Sequence, residues 1–306
     1  MNYDVIGDIH GQAGKLTALL QKLGYRDHLG AWRHPDRNAI FVGDLIDRGP
    51  GNLETIGIVR GMLDAGTGMA VMGNHEFNAI AWHTPDARHD GQFLRRRNEK
   101  NRNQHATFLA EIEHQPKLHR EQIDWFLTLP LWIDLPELRV VHACWHPGYM
   151  AELEPLLRPG RRLDEELVVA SSRRGTMEYR TVEGLIKGLE VALPADHEFR
   201  DKDEYVRHNV RVRWWDANAN TYRKAAILGS SAKENELPDS AIPEWALIGY
   251  DNRKPVFFGH YWFTGVPKTI SDSVACVDYS AAKGGPLVAY RWEGEPRLSA
   301  DRFISA

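Results

Sequence analysis

The chain of 306 residues has only two cysteines, Cys144 and Cys276. Two thiols cannot build a disulfide framework or a thiolate zinc site, so the expected setting is a reducing, cytoplasmic one. Long apolar runs are missing too. Stretches such as Val256-Phe257-Phe258 fall far short of the roughly 18 residues a membrane span needs. Met1-Asn2-Tyr3-Asp4 does not lead a basic region into an apolar one, so no secretory signal is expected. Nor is there an excess of charge: 38 basic against 42 acidic residues leave a net −4, which excludes a generic, charge-driven nucleic-acid binder. No repeat, low-complexity tract or linker long enough to divide the chain is present. With 42% apolar and 26% charged residues, disorder, collagen and coiled coil are excluded as well.

The first third alternates apolar runs with amphipathic stretches. Tyr3 to Ile6, Ala39 to Val42 and Met69 to Met72 read as strands, each closed by a glycine. Leu16, Leu19, Leu20 and Leu23 follow helical spacing and end at Gly24. Leu53, Ile56, Val59 and Met62 do the same behind an Asn52 N-cap and before Gly66. Strand–helix repeats of this length imply a parallel sheet covered by helices. Residues 77–130 and 152–211 are rich in polar and charged residues and read as helical insertions. Between and after them, Leu138 to Val141, Val256 to Phe258, Val274 to Val277 and Leu287 to Trp292 read as strands.

Five segments place polar residues immediately after a strand: Gly7-Asp8-Ile9-His10-Gly11, Gly43-Asp44-Leu45-Ile46-Asp47-Arg48-Gly49, Gly73-Asn74-His75-Glu76, Val141-His142 and Gly259-His260. Open α/β sheets bind their ligands where the strands stop. Carboxylate, imidazole and amide oxygen without thiolate are the donors of a hard-to-borderline metal site. Any one segment alone is a turn with a satisfied histidine. Five of them, all at strand ends, are not explained by turn chemistry.

As a set these motifs resemble the metallophosphoesterase superfamily, in the calcineurin-like branch of serine/threonine phosphoprotein phosphatases and dinucleoside tetraphosphate hydrolases. The resemblance runs over residues 3–78, 138–149 and 256–292. It implies an α/β fold, a sandwich of two mixed β-sheets flanked by helices, and a single catalytic domain spanning 1–306. It also implies two divalent metal ions, manganese first, with iron or zinc as alternatives. Asp8 and His10 would hold one ion, Asp44 would bridge both, and Asn74, His142 and His260 would complete the second. Arg48 would clamp phosphate oxygens, and His75, oriented by Asp47, would protonate the leaving group. The implied activity is phosphomonoester hydrolysis by in-line attack of a metal-bridging hydroxide. The alternatives are a dinucleoside polyphosphate hydrolase, a nucleic-acid end-processing phosphatase or phosphodiesterase, and an inactive binding module. Substrates are accordingly phosphoproteins, nucleotides or nucleic-acid ends, with no membrane and no obligate protein partner.

Symmetrical tetraphosphate hydrolases typically carry alanine where this chain has Asp47, so the intact pair leans away from them. Leu23-Gly24-Tyr25 through Gly73-Asn74-His75, and the Asp278 segment with Gly284-Gly285, also resemble the phosphatase module of bacterial RNA-repair kinase-phosphatases. The resemblance places Asp278 and Tyr279 among the substrate residues. It further implies a second substrate arginine between His142 and His260, for which Arg213 and Arg223 are the candidates. The basic run Arg95, Arg96, Arg97, Lys100 and Arg102 reads as a solvated helix face. Trp214-Trp215 and Tyr261-Trp262 read as core or pocket walls. His83, His89, His105, His114 and His119 share no ligand-like spacing and are assigned to the surface.

Overall fold

The computed structural model describes residues 1–200, 206–228 and 236–306. The first third runs β1 (Asn2–Ile6), α1 (Ala13–Leu23), a hairpin of β2 (Arg26–His28) and β3 (Ala31–Arg33), β4 (Arg37–Phe41), α2 (Asn52–Asp64), β5 (Gly68–Ala70) and α3 (Asn74–His83). Helices α4 (Glu99–Gln104), α5 (Ala106–Ile112) and α6 (Pro116–Phe126) precede β6 (Trp132–Asp134) and β7 (Arg139–Val141). Next come α7 (Pro147–Leu153), α8 (Glu165–Ser171) and α9 (Met177–Lys187). Four short strands follow: β8 (Glu190–Ala192), β9 (Phe199–Arg200), β10 (Val206–Arg207) and β11 (Asn209–Arg211). After α10 (Tyr222–Ala225), the chain closes with β12 (Val256–Phe258), β13 (Val274–Cys276), β14 (Val288–Trp292) and β15 (Phe303–Ser305).

Two mixed sheets result. One has the order β15-β14-β1-β4-β5, the other β13-β12-β7-β6. β1, β4 and β5 run parallel, as do β7, β12 and β13, while β14, β15 and β6 join antiparallel. The central strands are buried on both faces over their apolar runs, such as Val5-Ile6, Ala39 to Phe41 and Val256 to Phe258. Val5, Ile40 and Tyr290 of the first sheet pack with Val140, Phe257 and Ala275 of the second, forming the layer between sheets. Their neighbours Ile6, Phe41, Ala289, Val141, Phe258 and Cys276 face outward into the helices. Strand alternation alone sorts these residues between the layers. The parallel strands of each sheet release their loops at one edge, and the polar segments lie there.

The sequence periodicity holds for α1, whose Leu16, Leu19, Leu20 and Leu23 are buried and whose Gly24 caps it at φ 96°. Gly51, rather than Asn52, is the N-cap of α2; Asn52 opens the helix and spends its side chain elsewhere. The stretch expected to be helical over 152–211 is helical only as far as Lys187. Gly188, at φ 78°, ends α9. Val191 and Val210 then face each other, buried, across the β8–β11 ladder. Three-residue strands are too short for an alternating pattern to announce them.

Asp4 on β1 is fully buried, between Arg37 Nε at 3.1 Å and Arg291 Nε at 3.0 Å. Arg37 also donates to the carbonyls of Tyr3 and Trp292, tying three strands together. Breaking a buried pair from one side costs about 3–5 kcal/mol, because the remaining charge is stranded. Arg37→Met should therefore destabilise by about 3 kcal/mol in urea denaturation. The double variant with Asp4→Asn should recover part of that loss; a loss below about 1 kcal/mol in the single variant would mean that Arg291 alone compensates Asp4.

Candidate metal centre and active site

Asp44, one turn past β4, stands at the middle of the loop cluster. Its carbonyl accepts the N–H groups of Ile9 and His10 at 3.1 and 2.9 Å, which fixes the β1 loop against the β4 loop. Its Oδ1 accepts the N–H of His75 at 3.0 Å and lies 3.3 Å from His142 Nε2. Its Oδ2 lies 3.7 Å from His10 Nε2 and 3.9 Å from His75 Nε2. Asn74 Oδ1 joins the same cluster, 2.8 Å from His260 Nδ1 and 3.2 Å from His142 Nε2. His142 donates Nδ1–H to the Val42 carbonyl at 2.7 Å, which leaves the Nε2 lone pair facing Asp44 and Asn74.

Two groups of side chains have the spacing to hold a cation: His10, Asp44 and His75, and Asp44, His142 and His260, all buried. Asp44 is common to both. Asp8 belongs to neither group. Its Oδ2 accepts the His260 N–H at 2.9 Å, and its Oδ1 has no hydrogen-bond partner among the described residues. His10 Nε2 and His260 Nε2 are orphaned in the same way. A buried polar atom left without a partner costs about 1–3 kcal/mol. One carboxylate oxygen and two imidazole nitrogens in that condition fit divalent cations.

The electrostatics agree with the donor set. Burial and the neighbouring His75 push His10 down to about 3, and burial with the charge of Arg211 pushes His260 down as well. Both rings are thus neutral, as metal ligands must be. Burial opposes ionisation of Asp44, but His142, His75 and His10 hold it well below the usual carboxylate range. Burial, Asp278 and Asp44 together raise Asp8.

His75 and Asp47 meet closely, with His75 Nδ1 2.5 Å from Asp47 Oδ2. Burial would lower His75, yet the charges of Asp44 and Asp47 outweigh it and hold the imidazole above its usual value. Arg48 is exposed beside this pair, its guanidinium 4.7 Å from the centre of the Trp262 indole, whose ring stacks on His10 at 5.1 Å. The Lys283 ammonium lies 4.3 Å from the same indole.

Ten non-glycine residues among those described have positive φ. Six of them belong to this cluster: His10, Asp44, Asp47, Arg48, His260 and Trp262. Such backbone costs of order 1–3 kcal/mol per residue and persists where the surroundings over-determine it.

The four further substrate candidates are dispersed. Asp278 is buried behind the cluster and accepts the N–H groups of Trp262 and Ser280, with its carboxyl pushed up to about 6 by burial. The Tyr279 hydroxyl is engaged with the backbone of Lys268. The Arg223 guanidinium bonds the Leu237 carbonyl on the α10 side. Arg213 is half-buried, its N–H on the Ala225 carbonyl, and the arginine whose charge reaches His260 is Arg211.

Three contributors escaped sequence reasoning. Glu76 is fully buried and accepts the N–H groups of Asp44, Leu45 and Gly73. His105 is buried, with Nδ1 2.7 Å from Asp47 Oδ1. Arg211 is the third. His119 is also buried rather than on the surface, because it shares the inner face of α6 with Gln122, Ile123 and Phe126 at helical spacing. That spacing was present in the sequence, but histidine and glutamine hid it. Of the basic run, Arg95 bonds Gln104, Arg97 lies over Phe93 and bonds the Trp82 carbonyl, and Arg102 pairs with Glu113.

The calcineurin-like phosphoesterase profile matches residues 1–170. The chain belongs to that family. Its relatives include an asymmetrical bis(5′-nucleosyl)-tetraphosphatase of Halalkalibacterium halodurans, 49% identical over 76 residues, or 24% of this chain and 31% of that one. The chain thus matches about a third of the length of that relative. A symmetrical bis(5′-nucleosyl)-tetraphosphatase of Vibrio vulnificus is 26% identical over 301 residues, 97% of both chains. A protein serine/threonine phosphatase of Saccharomyces cerevisiae shares the fold at TM-score 0.53 and 14% identity, covering 100% of this chain and 79% of that one. The family is metal-dependent, and the described residues include His and Asp groups able to bind metal. Among the described residues, no helix is long and apolar enough to cross a membrane.

The closeness of Gly259 to Asp8 gives a direct test of this packing. A Cβ built on Gly259 would sit 1.9 Å from Asp8 Oδ1 and 2.8 Å from Val42 Cγ2. Gly259→Ala should displace Asp8, destabilise the protein by about 1–3 kcal/mol and lower metal retention on gel filtration. Full stability together with full retention would show that the Asp8 loop can move without consequence.

Proposed function

We propose that the chain is a binuclear metal-dependent phosphatase that hydrolyses phosphomonoesters. The observation that carries this reading is the His75–Asp47 pair, 2.5 Å apart, beside a carboxylate shared by two cation-sized groups of ligands. Asp8, His10 and Asp44 would hold one ion, and Asp44, Asn74, His142 and His260 the other. Two bound cations, manganese first, would supply a nucleophilic oxygen at neutral pH and offset charge on the phosphoryl group. Arg48, exposed at the rim, binds the non-bridging phosphate oxygens, and its contact with Trp262 limits its conformers. Protonated His75 donates to Asp47 through Nδ1–H and presents its second proton on Nε2 to the leaving oxygen, a charge state that Asp44 and Asp47 favour. The chain acts as one catalytic domain over 1–306, a reading supported by side chains from residue 8 to residue 260 lying in one cluster. The free, buried thiols of Cys144 and Cys276 accord with a reducing, cytoplasmic compartment.

One observation favours a second substrate class. Arg48 and Lys283 both approach the Trp262 ring within 4.7 Å, so two cations flank the same rim. A pair of cations suits a polyphosphate chain better than a single phosphoryl group, and the full-length relative is a dinucleoside tetraphosphatase. A panel of phosphopeptides, diadenosine tetraphosphate, 2′,3′-cyclic nucleotides and 4-nitrophenyl phosphate, assayed with manganese, separates the two. Phosphopeptide turnover at least tenfold above that of the dinucleotide is expected; the reverse order would transfer the assignment to dinucleoside polyphosphates.

Two further outcomes follow from the residue roles. Asp44→Asn should lower the metal content from two ions per chain towards none, since one carboxylate serves both sites; active wild-type protein with one ion would end the two-metal reading. His75→Asn should reduce kcat for phosphoserine by about 10²-fold or more, and for 4-nitrophenyl phosphate much less, because nitrophenolate departs without a proton. Equal losses with metals intact would remove His75 from the acid role.

A further inference from the structure

The helical segment between residues 99 and 126 reaches the acid pair at two points. At the N-terminal end of α5, His105 directs Nδ1 to Asp47 Oδ1 at 2.7 Å. Asp47 thus accepts from two imidazoles, one on each oxygen, since His75 occupies Oδ2. A carboxylate only accepts, so His105 carries its proton on Nδ1. Near the other end of α5, Glu111 accepts the N–H groups of Asn52 and Leu53, each at 2.8 Å. Asn52 in turn accepts the Asp47 N–H through Oδ1 at 2.6 Å. One short helix therefore holds the side chain of Asp47 through His105 and its backbone through Glu111 and Asn52.

Asp47 needs holding. It sits at φ 73°, a conformation that L side chains rarely adopt, and it is followed by Arg48 at φ 70°. Its carboxylate is buried, and the hydrogen bonds from His105 and His75 are what keep it ionised against that burial. Without His105, one oxygen would lose its partner and the carboxylate could rotate about its last bond, carrying His75 out of line. His105 itself packs between aromatic rings, 5.0 Å from Phe108 and 5.8 Å from Trp82. Among the described residues, the bond to Asp47 is the one hydrogen bond of its ring.

We propose that His105 is a positioning residue for the leaving-group acid, the third member of a His75–Asp47–His105 chain that α5 brings to the metal centre. The inference rests on the reading of His75 as the acid. A residue acting only through Asp47 should matter in proportion to how much the leaving group needs a proton.

The test is steady-state kinetics of the manganese-loaded full chain on phosphoserine and 4-nitrophenyl phosphate, with wild type, H75N, H105F and H105N. H105F keeps the ring among Phe108 and Trp82 but removes the donor. It should lower kcat for phosphoserine by about tenfold and for the nitrophenyl ester by clearly less, with KM and metal content near wild type. H105N places an amide N–H where Nδ1 stood and should recover most of the phosphoserine rate. If H105F fails to fold, as judged by circular dichroism, H105Q is the second loss variant, because its amide lies where Nε2 was. If H75N shows the leaving-group split while the loss variant depresses both esters equally, or neither, the positioning role is overturned and the acid reading stands. If H75N shows no split, or wild type turns over neither ester, the acid reading falls and this inference with it.

Discussion

The Asp44 carboxylate and the backbone around it connect the loops that follow β1, β4 and β5, and reach the imidazole that follows β7. The carbonyl of Asp44 takes two N–H groups from the β1 loop, its own N–H goes to Glu76 on α3, and its carboxylate takes the N–H of His75. A buried carboxylate is tolerable only when paired and hydrogen-bonded. Here the compensation comes from the imidazoles of His10, His75 and His142 and from the His75 N–H, which belong to three separate parts of the chain. The loops cannot separate without stranding that charge. This is how segments from residue 8 to residue 142 come to share one centre, and the His260 ring joins them through Asn74.

The sandwich makes this arrangement necessary. Because strands of both sheets are buried on both faces, their side chains are committed to two apolar layers. Apart from the Asp4–Arg37–Arg291 cluster at the far end of the first sheet's strands, the buried polar groups are left to the loops at the strand ends. Sharp turns are then required so that a side chain directly after a strand can point back across the sheet edge. Glycine supplies some of these, and at Gly259 the absence of a Cβ is what lets Asp8 approach. The remaining turns are made by the polar residues themselves in left-handed conformation.

This division of labour also explains how much was legible in the sequence. Apolar strand followed at once by Asp, Asn or His is a local pattern; it picked out the segments that lie together in the structure, and the family resemblance those segments carry implied the two-sheet fold. Glu76 stands in the Gly73-Asn74-His75-Glu76 segment, but nothing local announces that it holds the N–H groups of Asp44 and Leu45; His105 and Glu111 left no such pattern, because their partners lie 58 to 59 positions away. Arg211 lies on a three-residue strand inside a segment whose composition reads as helical. Short elements held by tertiary partners carry too little periodicity to be read from their own residues.

The strained turns and the buried acceptors are two sides of one arrangement. The left-handed residues of the cluster repeatedly donate their N–H groups to side-chain oxygens: His260 to Asp8, Trp262 and Ser280 to Asp278, Asp44 to Glu76, and Asp47 to Asn52. A hydrogen bond to a charged group contributes about 1.5–3 kcal/mol, comparable with the 1–3 kcal/mol that such a conformation costs. At Asp44, His260, Trp262 and Ser280 the strain and its compensation by a carboxylate are thus matched locally. The same carboxylates repel one another. Burial, with Asp44 as the next contributor for Glu76, pushes Glu76 up to about 7, and burial with Asp278 and Asp44 raises Asp8. Each of these carboxylates uses an oxygen to hold a turn, while Asp8 keeps its second oxygen without a partner among the described residues. Loops fixed by carboxylates that still lack positive charge form a rigid host for cations. Asp8 shows both tasks in one side chain: one oxygen holds the His260 turn, and the other is left, among the described residues, as a buried acceptor able to meet a cation.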